Sequence, residues 1–172
     1  LIKNKEYYQW LKDNREGIVS REPALCQAMV YESCMIKKRV VEQDPTEQGE
    51  RALLNFGHTL GHAVEKLENF TMHHGHCVGL GCIAAARISQ LRGMLTAEEA
   101  ADIRNTFLSF GIPAAAPGLA WERVLMTTQS DKKTEAGVIR FVLLNSIGQA
   151  YVDKTVTADE MKAGFDVIGG QA

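Results

Sequence analysis

From Leu1 to about Thr128 the apolar residues return every three or four positions, with turn-forming residues between the runs; beyond that point they alternate. This change of period predicts a mainly α chain, a multi-helix domain with a small β-hairpin near its C-terminus. Tyr7, Tyr8, Trp10 and Leu11 mark a first helix over residues 1–13, interrupted by Asn14 and Gly17. Pro23 suits the first turn of a second helix that runs to about Gln43 and stops at Asp44-Pro45. A third is expected over Glu50 to Leu67 and a fourth over Gly75 to Leu91, with Gly93 behind it. Thr96-Ala-Glu-Glu99 reads as a capping box opening a fifth, which Gly111-Ile-Pro113 ends. A short helix follows over Ala120 to Gln129. Val138 to Leu144 and Gln149 to Val156 then read as strands flanking Asn145-Ser-Ile-Gly148, and a second capping box, Thr157 to Glu160, opens a last helix ending near Gly169.

At 172 residues a single domain is expected, long enough to build a core without disulfides or structural metal, so a metal would serve function. Nineteen basic against 21 acidic residues leave no broad positive field for nucleic acid or an anionic membrane. The sequence holds neither a run of about 18 apolar residues nor a secretory pattern at its start, which points to a cytoplasmic protein. Cys26, Cys34, Cys77 and Cys82 form no C-x-x-C pair and read as reduced, mostly buried thiols. The start at Leu1, inside a helical pattern, leads us to expect further residues upstream. No internal repeat or low-complexity tract is present.

All five histidines, His58, His62, His73, His74 and His76, fall in one short window. On the helix expected over Glu50 to Leu67, Arg51, Asn55, His58 and His62 share a stripe about 60° wide, opposite Leu53, Phe56, Leu60, Ala63 and Val64. Such a row is also what the wet side of an amphipathic helix shows. However, solvated faces favour Glu and Lys, whereas this helix carries Asn, two histidines and two interior glycines, Gly57 and Gly61, each costing about 1 kcal/mol against alanine. Two glycines four apart let a backbone or ligand come close, which fits a buried site better. Neutral imidazoles bind zinc-like ions, and a turn after this helix brings His73, His74 and His76 within reach. Thr59 stands where a zinc-protease helix carries glutamate, so that chemistry is disfavoured. A third ligand is open among Glu47, Glu65 and a group upstream of Leu1.

The run Glu47-x-Gly-x-Arg51-Ala-Leu-Leu-Asn55-Phe-Gly-His58-Thr-Leu-Gly-His62-Ala-Val-Glu65, then His74-Gly and a small-residue helix ending Arg87-Ile-Ser89, closely resembles the C-terminal domain of the 3-dehydroquinate synthases. The likeness extends from Leu1 through Ile36-Lys37 to Asp131-Lys132-Lys133 and Ile139 to Leu144. It implies a fold like theirs and a cytoplasmic, homodimeric enzyme of the shikimate route to aromatic amino acids. That enzyme is a carbon-oxygen lyase that cyclises 3-deoxy-arabino-heptulosonate 7-phosphate to 3-dehydroquinate with loss of phosphate. It uses NAD, which transiently oxidises a ring alcohol so that the adjacent C–H becomes acidic, and a divalent metal, zinc or cobalt, as Lewis acid. By position, the resemblance makes His58 and His74 metal ligands, with a family glutamate just before Leu1 as the third. It makes His62 the proton-handling histidine. Arg51, Asn55 and Lys37 become substrate contacts, as does Lys132 or Lys133, with Glu47 holding the cations in place.

Two departures stand out. The family's usual His-Gly-Glu is here His74-Gly75-His76, which alters the surroundings of the metal. The family's N-terminal NAD-binding domain has no counterpart in this sequence, which lacks G-x-G-x-x-G, so residues 1–172 alone are expected to be a metal- and substrate-binding domain with little or no turnover. The alternatives are another sugar-phosphate cyclase of the 2-deoxy-scyllo-inosose or valiolone synthase type, a dehydrogenase of the glycerol or iron-dependent alcohol type, and a non-catalytic helical metal-binding module.

Overall fold

The computed structural model describes residues 1–47, 49–130 and 139–169. Its elements follow the order α1 (Lys5–Asp13), α2 (Arg15–Val19), α3 (Pro23–Gln43), a 3-10 turn (Glu50–Asn55), α4 (His58–Leu67), α5 (His74–Leu91), α6 (Ala97–Ser109), α7 (Trp121–Gln129), β1 (Phe141–Ser146), β2 (Gln149–Asp153) and α8 (Ala158–Asp166). The mainly helical architecture with one antiparallel hairpin agrees with the change of period in the sequence. No helix among the described residues is long and apolar enough to cross a membrane.

The core is organised around α5. Its residues from Gly79 to Ala86, with Cys77, Ile88 and Ser89, are all buried, and α4, α6, α8 and β1 pack around it. A helix apolar on every side must be enclosed in this way. Small residues let its neighbours close in: a Cβ on Gly164 of α8 would stand 3.0 Å from the Ala84 carbonyl oxygen of α5. Ser89 Oγ, fully buried, donates to the Ala85 carbonyl and accepts the Leu144 N–H at 2.9 Å, so it joins α5 to β1 without leaving a polar group unpaired.

Both capping boxes form, with Thr96 and Thr157 each accepting from the backbone N–H of the glutamate three residues on and that glutamate returning the bond. At its C-terminal end α5 is tied to the hairpin and to α8 by Arg92, whose guanidinium donates to Asp153 at 2.7 Å and to both oxygens of Glu160 at 2.7 and 2.9 Å. Arg92 holds the Glu160 carboxyl down at about 2, well below the usual carboxylate range.

Several boundaries differ from the sequence reading. Gly17 lies inside α2 instead of breaking it, because its bare Cα faces Leu25 of α3. The second strand ends at Asp153 rather than Val156, where the Asp153 carboxylate turns back onto the Thr155 N–H. The first begins at Phe141, and Val138 lies outside the described residues. All four cysteines are free; Cys77 and Cys82 are buried, Cys26 is half-buried and Cys34 is exposed.

The main correction concerns Glu50 to Leu67, which is two elements. The first six residues wind as a 3-10 turn, the chain reverses hand at Gly57 with φ of 79°, and α4 starts afresh at His58. A tertiary contact explains the break. The Gly57 carbonyl lies so close to α5 that a Cβ on Gly81 would sit 1.8 Å from its oxygen. A helix continuing straight through residue 57 would collide with that backbone.

Candidate metal centre

The close approach of α4 and α5 positions the histidines. A Cβ on Gly61 would meet the Cys77 carbonyl oxygen at 2.8 Å, and one on Gly57 would meet the Val78 carbonyl oxygen at 2.5 Å. The two interior glycines therefore admit another backbone, as their spacing suggested. Leu53, Phe56, Leu60, Ala63 and Val64 are all buried on the apolar side. His58 and His62 stand one turn apart on α4, and His74 is the first residue of α5.

The three rings converge. Their centroids are 5.0 Å apart for His58 and His62, 5.6 Å for His58 and His74, and 5.8 Å for His62 and His74. One nitrogen from each lies within 4.8 Å of the others, the only such group of three or more His, Cys, Asp or Glu among the described residues. Nitrogens sharing one tetrahedral zinc stand about 3.3 Å apart, so modest rotations about the side-chain bonds close the set. The donor chemistry and spacing fit a divalent ion. His58 Nδ1 lies 3.2 Å from the Phe56 carbonyl oxygen, and His74 Nδ1 lies 3.1 and 3.2 Å from the two Glu65 oxygens. Glu65, open as a third ligand from sequence, thus stands behind His74 and outside the convergent group. Cys77 contributes no thiolate: burial, aided by Glu65 and Glu68, pushes its thiol up.

The remaining site residues divide. Arg51 and Asn55 lie on the 3-10 turn, where three residues per turn set them about 120° apart, so the single stripe with His58 and His62 does not form. Arg51 Nη1 donates to the Pro45 carbonyl at 2.6 Å, and its backbone N–H, like that of Gly49, donates to Asp44, which caps the turn. Asn55 Nδ2 donates to Glu47 Oε1 at 2.8 Å. Among the described residues Glu47 thus holds an amide. Its φ of 58° is a left-handed conformation that a non-glycine residue keeps only where contacts impose it. Lys3, which the sequence reading passed over, pairs with Glu50 at the start of the same turn. Lys37 is exposed on α3, and no described contact joins it to the imidazoles. Lys132 and Lys133 lie outside the described residues. His76 pairs with His73, rings 5.4 Å apart, rather than with the convergent three.

A sequence model of the 3-dehydroquinate synthase C-terminal domain matches residues 1–134. This chain belongs to the 3-dehydroquinate synthase family. The enzyme of that name from Nitrosomonas europaea is 39% identical over 157 residues, which are 91% of this chain and 42% of that one. The one from Acinetobacter baumannii strain AYE is 37% identical over 163 residues, 94% of this chain and 45% of that one. The chain thus spans less than half the length of these 3-dehydroquinate synthases. Among solved structures, 2-epi-5-epi-valiolone synthase from Streptomyces hygroscopicus subsp. jinggangensis, with NAD+ and Zn2+ bound, superposes with a TM-score of 0.86 at 20% identity, covering 95% of this chain and 46% of that one. A 2-deoxy-scyllo-inosose synthase complexed with carbaglucose-6-phosphate, NAD+ and Co2+ gives 0.74 at 16%, covering 85% and 43%. At such identities these two likenesses establish the fold.

The described residues do not fit NAD as they fit a metal. Dinucleotide cradles use a glycine-rich turn from a strand into a helix. Here the one such connection, Lys154 to Thr157 between β2 and α8, carries no glycine.

Proposed function

We propose that this chain is the metal- and substrate-binding part of a 3-dehydroquinate synthase. The protein would cyclise 3-deoxy-arabino-heptulosonate 7-phosphate to 3-dehydroquinate with loss of phosphate, in the shikimate route. The observation that carries this reading is the convergence of His58, His62 and His74, in a chain whose relatives at 37–39% identity are named for that reaction. NAD is assigned to a domain upstream of Leu1, the homodimer to the whole protein, and its location to the cytoplasm. Residues 1–172 alone are expected to have little or no turnover.

His58 and His74 would hold the ion, zinc or cobalt, with the third place left to a carboxylate from upstream. The ion supplies Lewis acidity toward a substrate hydroxyl and fixes that hydroxyl in place. His62, in the same cluster, would then carry a proton at a ring nitrogen facing the substrate. Both α4 and α5 begin at a ligand histidine, so the positive ends of two helix dipoles meet at the site and favour an anionic substrate. Arg51, Lys37 and one of Lys132 or Lys133 would grip carboxylate and phosphate. Asn55, aimed by Glu47, would bind a hydroxyl.

The test joins the upstream half to this chain and follows phosphate release with NAD and zinc for the parent, His58→Ala and His74→Ala. Each variant should lose at least about 100-fold, the upper range for disturbing even a ligand's outer partner. Unchanged rates in both would overturn the metal assignment. Preferential cyclisation of another heptulose or hexose phosphate would move the protein to a related cyclase.

A further inference from the structure

The geometry assigns Glu65 as the positioning residue of the metal centre: its carboxylate fixes the tautomer and aim of His74 and thereby sets how tightly the cluster binds a divalent ion. This rests on the reading of the cluster as a metal site, and goes beyond it by naming a group outside the ligands.

An ionised carboxylate only accepts hydrogen bonds, so a ring nitrogen 3.1 and 3.2 Å from its two oxygens must be the one that carries hydrogen. In the neutral ring this places the hydrogen of His74 on Nδ1 and keeps the Nε2 lone pair for an ion. His58 shows the same arrangement with a different acceptor, since its Nδ1 lies against the Phe56 carbonyl oxygen. Two imidazoles thus turn their Nδ1 edges outward to oxygen acceptors. The carbonyl comes with the backbone, whereas the carboxylate is a side chain that the sequence had to supply.

His74 has more need of such a partner than His58. Its side chain is 55% exposed, so packing does little to select a rotamer, whereas that of Glu65 is only 17% exposed. Glu65 is also well placed for the task. At 100° per residue, His58, His62 and Glu65 fall on a stripe about 60° wide along α4. One face of one helix thus presents two imidazoles and the carboxylate that orients the third imidazole, which enters from α5. Outer partners of this kind raise the basicity of the ligating nitrogen as well as orienting it.

The test uses the metal-free protein, with the upstream half joined to this chain and its histidines 15N-labelled. Long-range proton–nitrogen spectra above pH 8 read each ring's tautomer, and competition with a chromophoric chelator measures zinc affinity. The parent, Glu65→Ala, Glu65→Gln and Glu65→Asp are compared. In the parent, His74 should be the Nδ1–H tautomer. In Glu65→Ala it should shift toward the Nε2–H tautomer that solvated imidazole prefers, with zinc affinity down roughly 10- to 100-fold and His58 unchanged. Glu65→Asp should restore part of both, and Glu65→Gln, which keeps an acceptor oxygen, should fall between. If Glu65→Ala does not fold, the Gln and Asp variants carry the comparison. An Nδ1–H His74 and parental zinc affinity in the variants would overturn the assignment, because a merely structural contact between α4 and α5 would move neither reading. A parent that shows the expected tautomer but takes up no zinc would overturn the metal reading instead.

Discussion

Replacing Gly81 by alanine tests how the two histidine-bearing helices are held together. The added Cβ would stand 1.8 Å from the Gly57 carbonyl oxygen, 2.7 Å from its carbon and 2.9 Å from the Gly61 nitrogen. All three are backbone atoms, so no rotamer change relieves the contact. Restoring an ordinary separation needs α4 and α5 to part by about 1.5 Å. Overpacking relieved by side chains costs about 1–3 kcal/mol; with backbone on both sides we expect at least the top of that range. For a protein of this size that lowers Tm by about 6–12 °C. The same displacement moves His74 away from His58 and His62, whose nitrogens already have to rotate together to share an ion, so zinc affinity should fall at least about tenfold. Gly75→Ala is the control. It lies on the same helix with nothing within 4 Å of its would-be Cβ, and should leave Tm unchanged or slightly raised. A Gly81→Ala protein that melts within about 2 °C of the parent and binds zinc equally would refute the close-packing argument.

Arg92→Ala should cost about 2–3 kcal/mol in urea unfolding at pH 7, because it removes charge-assisted bonds to Asp153 and Glu160. Glu160 is depressed in the folded protein, so its contribution is present above the ordinary carboxylate value of about 4.3 and is lost as pH falls toward about 2. The gap between parent and Arg92→Ala should therefore narrow between pH 5 and pH 2.5, and a constant gap would count against the ion pair as its source. Ser89→Ala should cost about 1–3 kcal/mol in the same assay by stranding the buried Leu144 N–H, whereas Ser89→Cys, which keeps a weak acceptor, should cost less.

Much of this architecture is written locally. The helices over 23–43 and 121–129, both capping boxes and the hairpin depend on periodicity and short-range hydrogen bonds, which a sequence displays directly. The break at Gly57 was not legible, because Leu53, Phe56, Leu60 and Val64 keep the spacing of an unbroken helix. A short 3-10 turn followed by α4 still puts all four in the core. What forces the break is the α5 backbone, some 24 residues further along the chain. The imidazole cluster was legible from the crowding of histidines and from family resemblance. The partner of His74 was not, although the offset of seven between His58 and Glu65 placed that carboxylate on the right face. Lys37 is a different case: only the resemblance singles it out, since in this chain it is one of several exposed residues on α3.

His58 and His74 each open a helix, so the cluster hangs on the two stretches of backbone where helices ordinarily fray. A divalent ion gripping both would pin the first turn of one helix to the first turn of the other. Its loading should slow hydrogen exchange first at the amides of residues 58–61 and 74–77, ahead of any change in the interior of α5.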